Sequence, residues 1–266
     1  MPTFQGNPFS NFYKRILQIS QSSNTGVDTT TRNVETGDGS ITALQLSDDQ
    51  LKIQPRNDNT INTLDVTNTS GASKFKVDTI SNQVTATGHV VNTQYAYFGV
   101  TTVMTSQFAA NKHYAIPFNH NEFSNTMYLP ILGTDTDPDT TFTTADANST
   151  RASDLVPVMW RVPDDITIDE IKHFEGADDA TGDTTRMHLM KFDTFTSGST
   201  SALTSGAVVA NTTSDLPNAG NEQAYLQDWR IDTANIDAGT VLVCTFRSDS
   251  NNADYAINVT IKYHLR

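Results

Sequence analysis

A chain of 266 residues (29.1 kDa) is long enough to bury a sizeable core, yet 36% of it is hydrophobic and 18% charged, both below the usual globular shares of roughly 45–50% and about 25%. The difference is made up by uncharged polar residues, including 40 threonines, and threonine suits the pleated surface of exposed β-structure. The balance of 17 Lys+Arg against 30 Asp+Glu gives a net charge of −13, which offers no basic face to a nucleic acid; one cysteine excludes an intramolecular disulfide framework and a cysteine zinc site, and no apolar run is long enough for a membrane-spanning helix.

Residues 1–32 read as an N-terminal anchor and linker. Asn7-Pro8 is a helix-start signal, and Phe9, Phe12, Tyr13, Ile16 and Leu17 follow at the spacing of one helical stripe. Lys14 and Arg15 lie near the C-terminal end, where the helix dipole favours cations. A short helix at a terminus cannot cover its own stripe, so this one is expected to dock on its own domain, on copies of itself or on a partner. Residues 20–32 read as extended linker. The first ten residues lack the charged start and apolar stretch of a secretory signal, so the expectation is a protein that is made and kept in a cytoplasm or leaves it by lysis rather than by export.

Residues 33–95 alternate short strands with turns. Leu44/Leu46, Leu51/Ile53, Leu64/Val66, Phe75/Val77 and Val84/Ala86 are apolar pairs two residues apart, the period of a strand. Between them stand Ser47-Asp48-Asp49, residues 55–59, Asn68-Thr69-Ser70-Gly71 and Ser81-Asn82, all turn-forming. The intervals are too irregular for a solenoid. Each strand offers one or two apolar residues, too few for a single-chain core. Three copies around an axis would bury each stripe against the other two; the alternative is an ordinary meander packed on the rest of the chain.

Residues 96–266 carry most of the aromatic residues. Tyr255, Ile257, Val259, Ile261, Tyr263 and Leu265 alternate with polar residues as a half-buried antiparallel strand does. Val241 to Phe246 is a more uniformly apolar strand, and Cys244 within it reads as a small core residue. Ile166, Ile168 and Ile171 suggest another strand, Arg186 to Phe192 a fourth, and Leu226 to Ile231 a helical turn. Short strands separated by turn-rich loops point to a C-terminal antiparallel β-sandwich of jelly-roll type. The fold class is therefore mainly all-β.

Chemistry-bearing candidates are few. Asp135, Asp137, Asp139 and Asp146 stand at positions 1, 3, 5 and 12 of a calcium-loop spacing, without its glycine, its final glutamate or its flanking helices. Glu122, Asp164, Asp169, Glu170 and Glu175 are carboxylates open to glycoside hydrolysis, but no local pattern selects a pair. The six histidines are scattered. His113-Tyr114, Phe118, Phe123, Met127-Tyr128 and Trp160 are aromatic groups that stack on sugar rings if exposed and belong to the core if not. No catalytic residue and no cofactor is assigned.

The stretch Asn7-Pro-Phe-Ser-Asn-Phe-Tyr-Lys-Arg-Ile-Leu-Gln-Ile, with Ser22 to Arg32, resembles the opening of structural proteins of marine tailed bacteriophages. Residues 42–54 and 75–79 are similar to the strand-turn units that follow in those proteins. The resemblance covers about residues 5–95. It implies a virion-anchoring N-terminus, a trimeric fibre shaft and a β-structured tip. On this reading Phe9, Phe12, Tyr13, Ile16 and Leu17 contact other virion proteins of the tail or capsid. Leu44, Leu46, Leu51, Ile53, Leu64, Val66, Phe75 and Val77 form the homotrimer's core, and the tip faces a host-surface glycan or protein. The expected function is a non-enzymatic tail fibre or spike in the virion. A capsid-decorating head fibre is the nearest alternative, and a glycan-degrading tailspike or a calcium-dependent lectin is the alternative of another class.

Overall fold

The computed structural model describes residues 16–21, 26–57, 63–87, 89–103, 109–119, 129–141, 155–178, 181–193, 203–213, 216–217, 222–251 and 254–266. They form two compact units, residues 1–91 and 92–266. The boundary expected after residue 95 falls inside a strand that starts at Thr93.

The first unit contains two antiparallel four-stranded meanders. One is β1 (Leu17–Ile19), β2 (Arg32–Thr36), β3 (Ile41–Leu46) and β4 (Leu51–Ile53). The other is β5 (Leu64–Thr67), β6 (Ser73–Asp78), β7 (Gln83–Ala86) and β8 (His89–Val90). Three turns close on or beside the residues expected to form them; the fourth, residues 55–59, lies partly outside the described residues. The Ser47 hydroxyl donates to Asp49 and accepts from the Gln50 amide at 3.1 Å. The Asn68 side-chain oxygen accepts from the Ser70 and Ala72 amides, and Gly71 supplies the positive φ of +82° that this turn requires. Asp78 accepts from the Ile80 and Ser81 amides, and the hydrogen bonds from Ser81 hold its carboxyl below the ordinary carboxylate range.

The helix expected from residue 7 lies mostly outside the described residues, but its last position is corrected. Leu17 opens β1 and pairs with Thr36, while Ile19 pairs with Val34. Leu17 and Ile19, two apart, fit an antiparallel partner as well as a helical stripe, and the pairing with β2 decides between the two.

The second unit is a sandwich. Its sheets are built from β9 (Thr93–Val103), β10 (Tyr114–Ala115), β11 (Met159–Arg161), β12 (Ile166–Asp178), β13 (Thr184–Phe192), β14 (Ala207–Asn211), β15 (Leu216–Pro217), β16 (Glu222–Asp228), β17 (Arg230–Ile231), β18 (Asn235–Ile236), β19 (Val241–Ser248) and β20 (Asp254–Leu265). One sheet runs β16-β12-β20-β9, and the other β10-β19-β13-β14-β17. Of the eight principal strands the first pairs with the last (β9 with β20), β10 with β19, β12 with β16 and β13 with β14, all antiparallel. That nesting of outer around inner pairs is jelly-roll connectivity. Where a helical turn was expected at 226–231, the chain is extended in β16 and β17, because Leu226 and Arg230 each pair with a neighbouring strand.

Ile166, Ile168 and Ile171 are all buried although the last breaks the period of two. A register shift between Ile168 and Glu170 explains it: a bulge at Asp169 turns the strand so that Ile171 faces the core again. The Asp169 carboxylate, pushed outward, accepts from His264 Nδ1 at 2.9 Å. The main core joins the inner faces of both sheets, with Phe98, Ile171, Val259 and Ile261 meeting Met187, Leu189, Leu242 and Phe246. A second core of Ala115, Leu132, Leu155, Val158, Phe192 and Leu203 covers the other face of β19 at Val241 and Val243. β19 is therefore buried on both sides, which is why its sequence is apolar without alternation.

Cys244 lies in this strand with no exposure, and burial pushes its thiol well above the ordinary range. Thiol titration with a disulfide reagent is therefore expected to give no reaction in the native protein and one equivalent after denaturation.

Candidate functional site

Residues directly opposite in an antiparallel pair share a face. In the first meander Leu44 pairs with Ile53 and Leu46 with Leu51, so the four residues expected to form an intersubunit core stand on one face. Leu17, Ile19 and Val34 join them through β1 and β2. The reverse face is mainly polar, with Ile41 opposite Glu35 as its apolar member: Gln18 donates to Glu35 and Gln45 to Asn33. In the second meander Leu64 opposes Val77 and Val66 opposes Phe75, and Val84 and Ala86 extend that face across β7. Asp65 and Lys76 pair on the opposite side.

Both apolar faces stand largely open in the single chain. Leu17 is 60%, Leu51 62%, Val66 48% and Phe75 38% exposed. Val34 alone on the first of these faces is buried. Exposed apolar surface of this extent, regular along neighbouring strands, marks an interaction surface.

Of the expected anchor, Phe9, Phe12 and Tyr13 lie outside the described residues. Ile16 precedes β1, and Leu17 belongs to the first meander's apolar face.

The acidic loop does not gather its carboxylates. Asp135 offers its backbone carbonyl, which accepts from His113 Nε2 at 2.9 Å. Asp137 places a carboxylate oxygen 3.3 Å from His188 Nε2 and 3.9 Å from Arg186. Asp139 lies against Gly133, where a Cβ would come within 2.3 Å of its carboxylate oxygen. Asp146 lies outside the described residues, among which no group of three or more metal-ligating side chains is arranged to hold an ion.

The loop instead roofs a histidine pair that the sequence did not single out. His113 and His188 are fully buried, with ring centroids 5.1 Å apart in an edge-to-face arrangement. Among the described residues Nδ1 of each has no hydrogen-bond partner. Burial, reinforced by the neighbouring His113 and Arg186, depresses His188 to about 3, against the pull of Asp137. Burial likewise lowers His113.

A second polar group lies inside the sandwich. Trp229 Nε1 donates to His173 Nδ1 at 2.8 Å, which leaves the proton of a neutral His173 on Nε2, 3.4 Å from the Glu175 carboxylate. Thr185 donates to that carboxylate at 3.2 Å, and its hydroxyl meets the Tyr225 hydroxyl at 3.2 Å. Burial, then the Glu175 charge, pushes the Tyr225 hydroxyl up. His173 and Glu175 have no solvent exposure, so this group specifies core packing and is not placed to meet a substrate. Of the other carboxylates considered for glycoside hydrolysis, Asp164 is exposed in the bend before β12, Asp169 holds His264 and Glu170 pairs with Lys172; Glu122 lies outside the described residues.

Most of the aromatic groups considered for sugar stacking are core residues. His113, Tyr114 and Trp160 are buried, and Phe118 stacks on Trp160 at 5.5 Å. Phe123, Met127 and Tyr128 lie outside the described residues. No protein family matches the chain, and a comparison with curated proteins finds no significant match.

Because the folded state holds His188 and His113 below their ordinary value of 6.5, the unfolded chain takes up protons that the folded chain refuses. Their contribution is intact above about pH 6.5 and is lost as pH falls toward the folded values. Urea midpoints measured at pH 7 and pH 5 are expected to drop for the wild type and to drop less for His188→Asn; an equal drop in both contradicts this assignment.

Proposed function

We propose that the protein is a non-enzymatic virion structural component, a homotrimeric fibre or spike whose N-terminal segment joins it to other tail or capsid proteins and whose jelly-roll unit forms the outward head. The observation that carries this reading is the pair of four-stranded meanders, each with one apolar face uncovered in the single chain and one polar face.

Size favours three copies. Four strands about 4.8 Å apart make a wall about 19 Å wide, and three such walls closed into a triangle stand roughly 5–6 Å from the axis, close to half the ~10 Å separation of packed sheets. One layer of Leu, Ile, Val and Phe fills that distance. Two copies face to face would cover the apolar surface equally well but leave β1, β4, β5 and β8 as open edges, the hazard that closure removes. Three walls bring those edges together at the corners. Weak head contacts repeated on one trimer then act together by avidity. Virion assembly and release by lysis follow from the resemblance of residues 5–95 to phage structural proteins.

Leu51 and Val66 are exposed in the single chain, so charges there spare the monomer. Leu51→Lys combined with Val66→Lys is expected to reduce the sedimenting species to one chain while leaving the thermal transition of the jelly-roll unit in place; a species of unchanged mass overturns the reading. Removal of residues 1–15, which leaves β1 intact, is expected to give a trimer that no longer joins particles. Normal incorporation of the truncated chain would place the anchor elsewhere.

A further inference from the structure

In the sheet β16-β12-β20-β9 the inner face is core, and the outer face carries large rings in the open. Tyr95 and Tyr97 on β9 are 54% and 43% exposed, Phe174 on β12 is 53% and Leu226 on β16 is 55%. The register shows that these belong to one surface. Tyr95 lies opposite Lys262 and Tyr97 opposite Thr260. Thr260 lies opposite Lys172, and Asn258 opposite Phe174. Phe174 in turn lies opposite Leu226. Two tyrosines on one side and a phenylalanine–leucine pair on the other thus flank a central column of Asn258, Thr260 and Lys262. Beyond Phe174 the next row is Gly176, Ala224 and Ala256, all small, and the strands continue to Asp178 and Asp254.

Three features restrict what fits. The ring-bearing rows, four strands by about five residues, cover roughly 300 Å² of a longer outer face, an area that suits a compact ligand. The charges of the face lean acidic: Lys172 pairs with Glu170 and Asp228, Lys262 lies opposite Glu170, and Asp178 and Asp254 follow on the same rows. On a chain of net charge −13, a face that leans acidic disfavours an anionic membrane or a nucleic acid and leaves a neutral ligand as the better fit. Its chemistry is mixed in the way a pyranose requires. The ring's flat C–H face is apolar and slightly positive and meets the negative face of an aromatic ring, while its hydroxyls need amide, hydroxyl and ammonium partners in the same plane.

We infer that this outer face, centred on Tyr95, Tyr97, Phe174 and Asn258, is a glycan-binding site for an oligosaccharide segment of a surface polysaccharide. The biological meaning rests on the jelly-roll unit being the outward head; the binding itself does not depend on trimerisation.

The full-length chain, biotinylated at its N-terminus and clustered on streptavidin, is to be applied to a printed array of bacterial surface polysaccharides and neutral and acidic oligosaccharides. Binding to at least one saccharide class is expected, and Tyr95→Ala with Tyr97→Ala, and separately Phe174→Ala, should weaken it at least tenfold with unchanged melting temperature. Absence of binding across the array, or binding indifferent to these variants, overturns the site. If the tyrosine variants change the oligomeric mass, the face is an intersubunit contact and the glycan assignment is wrong. A trimer that binds no saccharide defeats this site alone, and a monomer that binds one defeats the fibre reading alone.

Discussion

Each sheet here has at least one apolar face, and such a sheet is stable only when that face is covered. The structure follows from how that requirement is met in each unit. In the jelly roll the two sheets cover each other, and a further layer of loop residues covers the far side of β19. In the meanders of the first unit the polar faces are satisfied by side-chain pairs such as Gln18 with Glu35 and Gln45 with Asn33, while the apolar faces remain open. On the trimer reading proposed above, a face that regular, with alternation kept through strand after strand, meets copies of the same chain, which are always present at matching concentration and geometry.

The buried polar groups show the other side of this economy of surface. His113 and His188 under the acidic loop, and His173, Glu175, Thr185 and Tyr225 within the sandwich, are enclosed where an apolar side chain would also fit. Each group is specified by hydrogen bonds or close approaches from more than one element, so it ties together strands distant in sequence. Such networks fix a single packing arrangement at some cost in stability. The histidine pair carries that cost at acid pH, since two buried imidazolium ions with ring centroids 5.1 Å apart would repel each other.

Much of the fold was legible in the residues. The apolar pairs of the meanders and the alternation of β20 identify strands because period two is a local property, and the turns are set by Asn, Asp, Ser and Gly acting within a few residues. What depended on partners distant in the chain was not legible. Leu17 fits a helical stripe and a strand equally, and only the pairing with Thr36 decides. The bulge at Asp169 leaves its mark in the spacing of Ile166, Ile168 and Ile171, a signal that is readable once the register shift is considered. The candidate surfaces divided in the same way. The apolar residues of the meanders fall on common faces because alternation dictates it. Burial of Tyr114 and Trp160, exposure of Tyr95 and Tyr97, and the meeting of His113 with His188 all depend on which strands of the jelly roll are neighbours.

The central claim is that the open faces of the meanders are covered by two further copies of the chain. Light scattering coupled to size exclusion on the purified full-length protein measures this without assumption about shape. The account predicts a mass near three times 29.1 kDa. A mass of one chain across the accessible concentration range would contradict it.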